Sequence, residues 1–109
     1  MKFSQYKYER SSYENIKEDF TKLVDKINNS NTYEEQKKYI LELNKIRNDI
    51  QSNSTIASIR YSIDTSDEYY EEEKKYWDEY MPFYEDLNCD FYKVIVNSKF
   101  KEEIINDFS

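Results

Sequence analysis

"SDEYYEEEKKYWDEYMPFYEDLNCDFYKVIVN", residues 66–97, shows the clearest helical register of the chain. Its apolar side chains recur at heptad spacing in three series, which are Tyr69, Tyr76 and Phe83; Tyr70, Trp77, Tyr84 and Phe91; and Tyr80, Leu87 and Val94. Acidic pairs repeat at the same spacing on the opposite side. This pattern predicts one long helix with an aromatic stripe and an acidic stripe. The helical phase continues through Pro82, so we expect a kinked but continuous helix.

Two helical patterns precede this stretch and one follows it. The first covers about residues 12–28, and "NNSN" at 28–31 ends it with residues that favour turns. The second covers about residues 33–63. Low helix propensity at 51–58 predicts either a break or bend, or close approach of another helix to small side chains. A short last helix begins at about Lys99.

Three capping boxes mark where the long helices begin. In each, a hydroxyl residue precedes an acid by three positions, and the pairs are Ser11 with Glu14, Thr32 with Glu35, and Thr65 with Glu68. Such a hydroxyl accepts a hydrogen bond from a backbone amide of the first helical turn. The three signals therefore divide the chain into three long helices.

The composition points to the same fold class. The chain of 109 residues has no Gly and one Pro, and tight hairpins need residues with positive φ, so a sheet-rich fold is disfavoured. We expect an all-α protein, an antiparallel bundle of three long helices plus a short C-terminal helix. Residues 1–109 are predicted to form a single helical domain.

The net charge of −7 is unevenly placed. Residues 64–90 hold eleven acids and two lysines, a balance of −9, and the other residues sum to +2. An acidic surface of this kind disfavours nucleic acid as a partner. No apolar run is long enough to span a membrane, and no signal peptide is recognisable, so we predict a cytoplasmic protein. Cys89 is the only cysteine, which fits a reducing compartment and a structural thiol.

The absence of several residue types excludes whole classes of site. The chain has no His, which excludes histidine-based triads and the usual zinc sites, and no Gly, which excludes the phosphate-binding and dinucleotide-binding loops. "DTSDE" at 64–68 lacks the spacing and the glycine of a calcium loop. We interpret it as a helix start, with Asp64 or Thr65 as the cap and Asp67 beside the helix dipole. We therefore predict no cofactor or metal bound by this chain.

Two surface features leave alternatives open. "EEEKK" at 71–75 is either an acidic docking surface or, as we favour, a solvated face with a Glu71–Lys75 pair. The aromatic stripe is either core, as we favour, or a ligand or peptide groove. Nineteen aromatic residues are many for so few helices, and tyrosine suits a half-wet interface. Exposed aromatic side chains predict self-association of the isolated chain.

Three stretches resemble one protein family. The opening "MKFSQYKYER" (1–10), "STIASIRYSIDTSDEYYEEEKKYWDE" (54–79) and "FYKVIVNSKFKEEI" (91–104) are similar to the N-terminal region of bacterial oligoendopeptidase F-like zinc peptidases, relatives of thimet oligopeptidase. The order of the segments matches, and the resemblance covers nearly the whole chain. "RSS" at 10–12 departs from the family, where a proline follows the arginine.

The resemblance implies a non-catalytic N-terminal helical lobe. In this family an HExxH helix and a downstream Glu bind zinc inside a deep channel that admits short peptides. No position of this chain matches those residues, so we expect no enzyme activity from it alone, and we expect the catalytic domain and its zinc to be absent. The lobe would wall the channel and pack on a catalytic lobe. We predict that lobe contacts involve Arg60, Asp64, Asp67, Tyr70 and Trp77.

A second hypothesis is a free-standing helical interaction module that binds a protein through its aromatic or acidic face. The sequence leaves open whether the chain is an isolated lobe, a truncated product or an independent relative. It also leaves the oligomeric state and any peptide specificity open.

Overall fold

The computed structural model describes Tyr8, Arg10 and residues 12–108. Four α-helices account for nearly all of them, α1 (Tyr13–Asn28), α2 (Tyr33–Ile63), α3 (Glu68–Val96) and α4 (Lys101–Phe108). No strand occurs in this part of the chain. The predicted all-α class and the four predicted helices are confirmed, and the bundle measures 51 × 28 × 17 Å.

Both long helices are continuous. The helix α2 has the predicted bounds and runs without a break through residues 51–58. Ala57 in that stretch is buried, as close helix packing requires. The helix α3 continues across Pro82, as its apolar phase predicted. Because proline lacks an N–H, the helix loses one backbone hydrogen bond there, and the packed stripe on both sides of Pro82 offsets that loss.

Of the three predicted capping residues, one is confirmed, and the other two helices begin at different caps. Thr32 caps α2 as expected, because its side chain accepts from the Glu35 N–H at 3.2 Å. The residue that caps α1 is Ser12, without a side-chain hydrogen bond, and Ser11 lies outside the described residues. Asp67 caps α3 by accepting from the Tyr70 N–H at 3.1 Å, so the prediction of Asp64 or Thr65 as cap was wrong.

Asp64 has a different local role. Its carboxylate accepts from the N–H of Ser66 at 3.1 Å and from the hydroxyl of Ser66 at 2.7 Å, which holds the turn between α2 and α3. These hydrogen bonds stabilise the ionised form and lower the pKa of Asp64. The tight turn makes α2 and α3 an antiparallel hairpin.

The apolar core lies where α1 packs against this hairpin. Its buried members are Phe20, Leu23, Ile27, Ile40, Leu43, Ile50, Ala57, Trp77, Tyr84, Leu87, Phe91 and Ile104. Two side-chain hydrogen bonds confirm that α2 and α3 run antiparallel. Arg47 Nε donates to Asn88 at 3.0 Å, and Ser98, just after α3, donates to Gln36 near the start of α2 at 2.7 Å. We call the region around loop 29–32 and turn 97–100 the core end, and the region around turn 64–67 the hairpin end.

One buried glutamine forms hydrogen bonds to two other segments at the core end. Gln36 donates its amide to the carbonyl of Ile27 at 2.9 Å, and its side-chain oxygen accepts from Ser98. The hydroxyl of Ser98 also accepts from the Phe100 N–H at 3.0 Å. A buried amide requires such partners. Gln36 thus ties the end of α1 to the turn before α4.

The short helix α4 begins two residues later than predicted, at Lys101, and only Ile104 of its apolar face is buried. Tyr33 donates to Asp107, and Lys37 pairs with the same carboxylate at 3.2 Å. Desolvation, followed by the hydrogen bond to Asp107, raises the pKa of Tyr33 to about 12, while the hydrogen bonds lower the pKa of Asp107. Polar contacts to α2 therefore supplement one apolar anchor.

Candidate interaction surface

A buried polar cluster organises the hairpin end. The hydroxyl of Tyr8 accepts from Trp77 Nε1 at 2.8 Å and donates to Glu73 Oε1 at 2.8 Å. Burial, reinforced by the hydrogen bond to Glu73, raises the pKa of Tyr8 well above its usual range. One hydroxyl from the N-terminal segment thus satisfies two polar groups of α3.

Two charged side chains are buried in the same cluster. Glu73 is 6% exposed, and its second oxygen lies 3.5 Å from Arg10. Arg60 is 9% exposed, and its guanidinium lies 5.1 Å from the ring centroid of Tyr8 and 5.8 Å from that of Tyr70. Buried charges need compensating charges or hydrogen bonds. Arg10 provides part of that compensation for Glu73 on α3, and the ring of Tyr8 provides part of it for Arg60 on α2.

All three arginines of the chain stack on aromatic rings. Arg10 lies 4.7 Å from the ring centroid of Tyr76, and Arg60 lies over the ring of Tyr8. Arg47 lies 4.9 Å from the ring centroid of Phe91 and also donates hydrogen bonds to Asn44, Asn88 and Tyr92. A guanidinium over a ring face gains cation–π and stacking energy. Aromatic surface in this protein therefore serves to hold cations as well as to fill the core.

An open groove of about 710 Å³ lies between the start of α1 and the first half of α3. We call it the tyrosine groove, and its lining consists of Arg10, Ser12, Tyr13, Glu14, Glu72, Lys75, Tyr76, Glu79 and Tyr80. The ring centroid of Tyr80, one of the lining residues, lies 4.7 Å from that of Tyr76 and 5.6 Å from that of Tyr13. The groove combines ring faces with carboxylates.

Exposed aromatic rings extend the groove along α3. Phe83 is 46% exposed and lies 5.6 Å from Tyr13, again between ring centroids. Tyr69 is 53% exposed at the other end of the same heptad series. Trp77, Tyr84 and Phe91 of the adjacent series are buried. The stripe is thus divided: Trp77, Tyr84 and Phe91 lie in the core, and the series of Tyr69, Tyr76 and Phe83 forms a partly exposed aromatic face.

The five residues predicted to contact another lobe occupy different positions. Arg60 and Trp77 are buried in the polar cluster, and Tyr70 is half-buried against Arg60. Asp67 caps α3, while Asp64 is exposed in the turn. The structure brings all five to the hairpin end. Contact with another lobe stays a prediction for each of them.

Tyr8 and Glu73 were missed by the sequence-based predictions. Glu73 stands in "EEEKK", which was expected to be a solvated face. The expected pair of Glu71 with Lys75 is present at 3.3 Å, but the face is not wholly solvated, because Glu73 turns inward. The heptad position of Glu73, four residues before Trp77, was an available signal. Nothing local marked Tyr8, which is 69 residues from Trp77.

Other kinds of site find no support in the described part of the chain. No three His, Cys, Asp or Glu side chains are placed there so that they could hold a metal ion. None of the helices described combines the length and apolar character that crossing a bilayer requires. Cys89 is exposed on α3.

Comparisons with known proteins identify relatives of the whole chain. A family model described as "Peptidase M3 N-terminal domain" matches residues 3–109. The solved structure "PZ peptidase A with inhibitor 2" has a TM-score of 0.93 at 34% identity, covering 98% of this chain and 19% of that chain. An oligoendopeptidase F from Bacillus anthracis str. Ames has a TM-score of 0.90 at 38% identity, covering 95% of this chain and 19% of that chain.

A further oligoendopeptidase F structure has a TM-score of 0.93 at 29% identity, covering 99% of this chain and 19% of that chain. The chain therefore spans 19% of the length of each of these solved chains. No curated protein matches the chain with significant similarity.

Proposed function

Because the chain belongs to the family of peptidase M3 N-terminal domains, we propose that it is the non-catalytic N-terminal lobe of an oligoendopeptidase-type zinc metallopeptidase. The observation that carries the proposal is the match of nearly all of this chain to 19% of a solved peptidase chain at 34% identity. In this proposal residues 1–109 form one helical domain, and catalysis belongs to the remaining polypeptide.

The role that we propose is steric. Packed on the catalytic lobe, the bundle walls part of the peptide channel and restricts access to short peptides. The hairpin of α2 and α3 suits such a wall, because a helix of 31 residues extends about 46 Å. The zinc ion and its ligands belong to the catalytic lobe, and a cytoplasmic location remains our prediction for the assembled protein.

Complementation tests this proposal directly. The remaining peptidase polypeptide is produced without the lobe, and cleavage of short and long peptides is compared before and after the 109-residue chain is added. We expect binding of the chain to restore discrimination against long peptides. Peptide cleavage by the purified 109-residue chain with stoichiometric bound zinc would contradict the proposal.

A second candidate is a free-standing interaction module, which the half-exposed Tyr69, Phe83 and Tyr92 favour. It predicts one specific partner that carries no peptidase sequence, and recovery of peptidase sequence alone in a pull-down would count against it. The gene neighbourhood distinguishes the two candidate functions, since a reading frame that continues or resumes into HExxH favours the lobe.

For the isolated chain we expect self-association through the exposed rings of Tyr69, Phe83 and Tyr92. A clean monomer by light scattering at high concentration would contradict this expectation.

A further inference from the structure

We propose that the tyrosine groove receives an arginine or lysine side chain from the part of the peptidase polypeptide that lies outside these 109 residues. This inference rests on the proposed function, because it names the contact through which the lobe docks. Three observations support it: the ring faces that the groove presents, the carboxylates that have no counter-ion among the described residues, and a net charge of the chain that favours a cationic segment over a second copy.

The ring faces of the groove already hold one cation. Arg10 lies over Tyr76 at 4.7 Å, and Tyr13 and Tyr80 stand beside that ring. A guanidinium or ammonium over a tyrosine face is attracted by the ring quadrupole, most strongly where water is excluded. The walls of the groove therefore accept a cationic side chain, and Tyr13 and Tyr80 extend the aromatic surface beyond the ring that Arg10 covers.

The carboxylates that line the groove are not paired with the cations that line it. Its two cations are paired outside the lining, Arg10 with Glu73 at 3.5 Å and Lys75 with Glu71 at 3.3 Å. Glu14, Glu72 and Glu79 form no ion pair with any residue that the structure describes. Three carboxylates beside tyrosine rings are complementary to a single long cationic side chain.

The remaining peptidase polypeptide is the occupant that the charges favour. A second copy of this chain carries the same net charge of −7, so the self-association expected through the exposed rings works against electrostatic repulsion, whereas a cationic side chain in the groove does not. The solved relatives have chains of which this one covers 19%, so most of such a polypeptide is available to supply the cation. The exposed rings of Phe83 and Tyr69 would then pack around the docked segment.

A binding experiment with matched variants tests the inference. The dissociation constant of the 109-residue chain for the separately produced remaining polypeptide is measured by calorimetry. The variant Glu72→Gln/Glu79→Gln neutralises two groove carboxylates, and Asp86→Asn/Asp90→Asn makes the same charge change at exposed positions of α3 outside the groove. We expect about tenfold weaker binding for the groove variant and little change for the control.

The results of this binding experiment distinguish failure of the docking inference from failure of the proposed function. Equal affinity of the groove variant and the unsubstituted chain would overturn the docking inference and leave the proposed function standing. Equal weakening by both variants would also overturn it, because the effect would then follow overall charge. Absence of any binding by the unsubstituted chain would overturn both proposals.

A small-molecule probe tests the chemistry of the groove separately. N-acetyl-arginine methylamide is titrated into the 109-residue chain, with the neutral citrulline analogue as control, while NMR signals are followed. We expect shifts at Tyr13, Tyr76 and Tyr80 with the arginine compound, and their loss in Glu72→Gln/Glu79→Gln. Equal shifts with the citrulline compound would overturn the inference, because the groove would then not select a cation.

Discussion

The core end and the hairpin end of the bundle are stabilised by different means. At the core end all four described helices meet, and the buried side chains there are apolar or uncharged, with Gln36 as the main polar member. Of the described helices, α2 and α3 continue to the hairpin end, and two of the buried residues there, Arg60 and Glu73, carry charges. The difference follows from how many helices are available to cover each region.

A two-helix hairpin cannot enclose an apolar core by itself. Here Tyr8 provides part of the missing cover, because its ring packs under Arg60 and its hydroxyl bonds to Trp77 and Glu73. Arg10, two residues further along the chain, lines the tyrosine groove. Burial at the hairpin end is thus coupled to the surface that we propose for docking.

The largest effect is expected from a cavity in the core. Leu43 is fully buried, so Leu43→Ala removes packed atoms and leaves a void, which costs about 2–5 kcal/mol of unfolding free energy. The matched control is Leu41→Ala, two residues away and 52% exposed, which should change stability by less than about 0.5 kcal/mol. Chemical denaturation measures both, and equal losses would show that the two positions are not distinguished by burial.

A smaller effect is expected at the hairpin end. Tyr8→Phe keeps the ring under Arg60 but leaves Trp77 Nε1 and Glu73 without their shared hydroxyl, a loss of about 1–3 kcal/mol. Tyr69→Phe, at an exposed ring, should be nearly neutral. Hydrogen exchange should show that Tyr8→Phe increases opening around residues 60–77 more than in α1. Uniform destabilisation would contradict the separation of the two ends.

The helix caps give a third contrast. Asp67→Ala removes the side-chain bond to the Tyr70 N–H and should cost about 1 kcal/mol. Ser12→Ala should cost less than half of that, because Ser12 makes no side-chain hydrogen bond at the start of α1. Thermal unfolding of the two variants compares them, and a larger loss for Ser12→Ala would show that α1 is capped differently.

The smallest effect concerns α4 and pH. The pKa of Asp107 is lowered by hydrogen bonds from Tyr33 and Lys37, so its ionised form stabilises the fold. That contribution is present above the ordinary value of 3.8 and is lost as the pH falls through the lower folded value. Asp107→Asn should therefore be less stable than the unsubstituted chain at pH 7 and equal to it in stronger acid. A difference that grows in acid would contradict this sign.

Much of this fold could be predicted from the sequence. Thr32 predicted where α2 begins, because a capping signal is local. The heptads of residues 66–97 predicted the course of α3, because its apolar pattern is periodic. The cap of α3 could not be chosen among the neighbouring residues of "DTSD" (64–67), since each has a side chain able to cap a helix. The choice depends on the turn, in which the carboxylate of Asp64 is used by Ser66.

The candidate surface was predicted only in part. The aromatic series on α3 was visible as a stripe, but periodicity does not tell which of its sides faces α1. Trp77 and Arg60 were selected as contacts to another lobe, and the structure places both in a cluster completed by Tyr8. That cluster depends on a contact between residues far apart in sequence, which no local pattern encodes. The tyrosine groove likewise requires α1 and α3 to be placed side by side.

A docked lobe is distinguished from a free one by the accessibility of its carboxylates in the isolated chain and in the complete peptidase polypeptide. Carbodiimide labelling of carboxylates, read out by mass spectrometry, reports the accessibility of Glu72 and Glu79, with exposed Asp86 as reference. If these 109 residues are a docked lobe, labelling of the groove carboxylates should fall several-fold in the complete polypeptide, while labelling of Asp86 should stay unchanged. Equal accessibility of every carboxylate in the two proteins would contradict the claim that the bundle packs on another lobe.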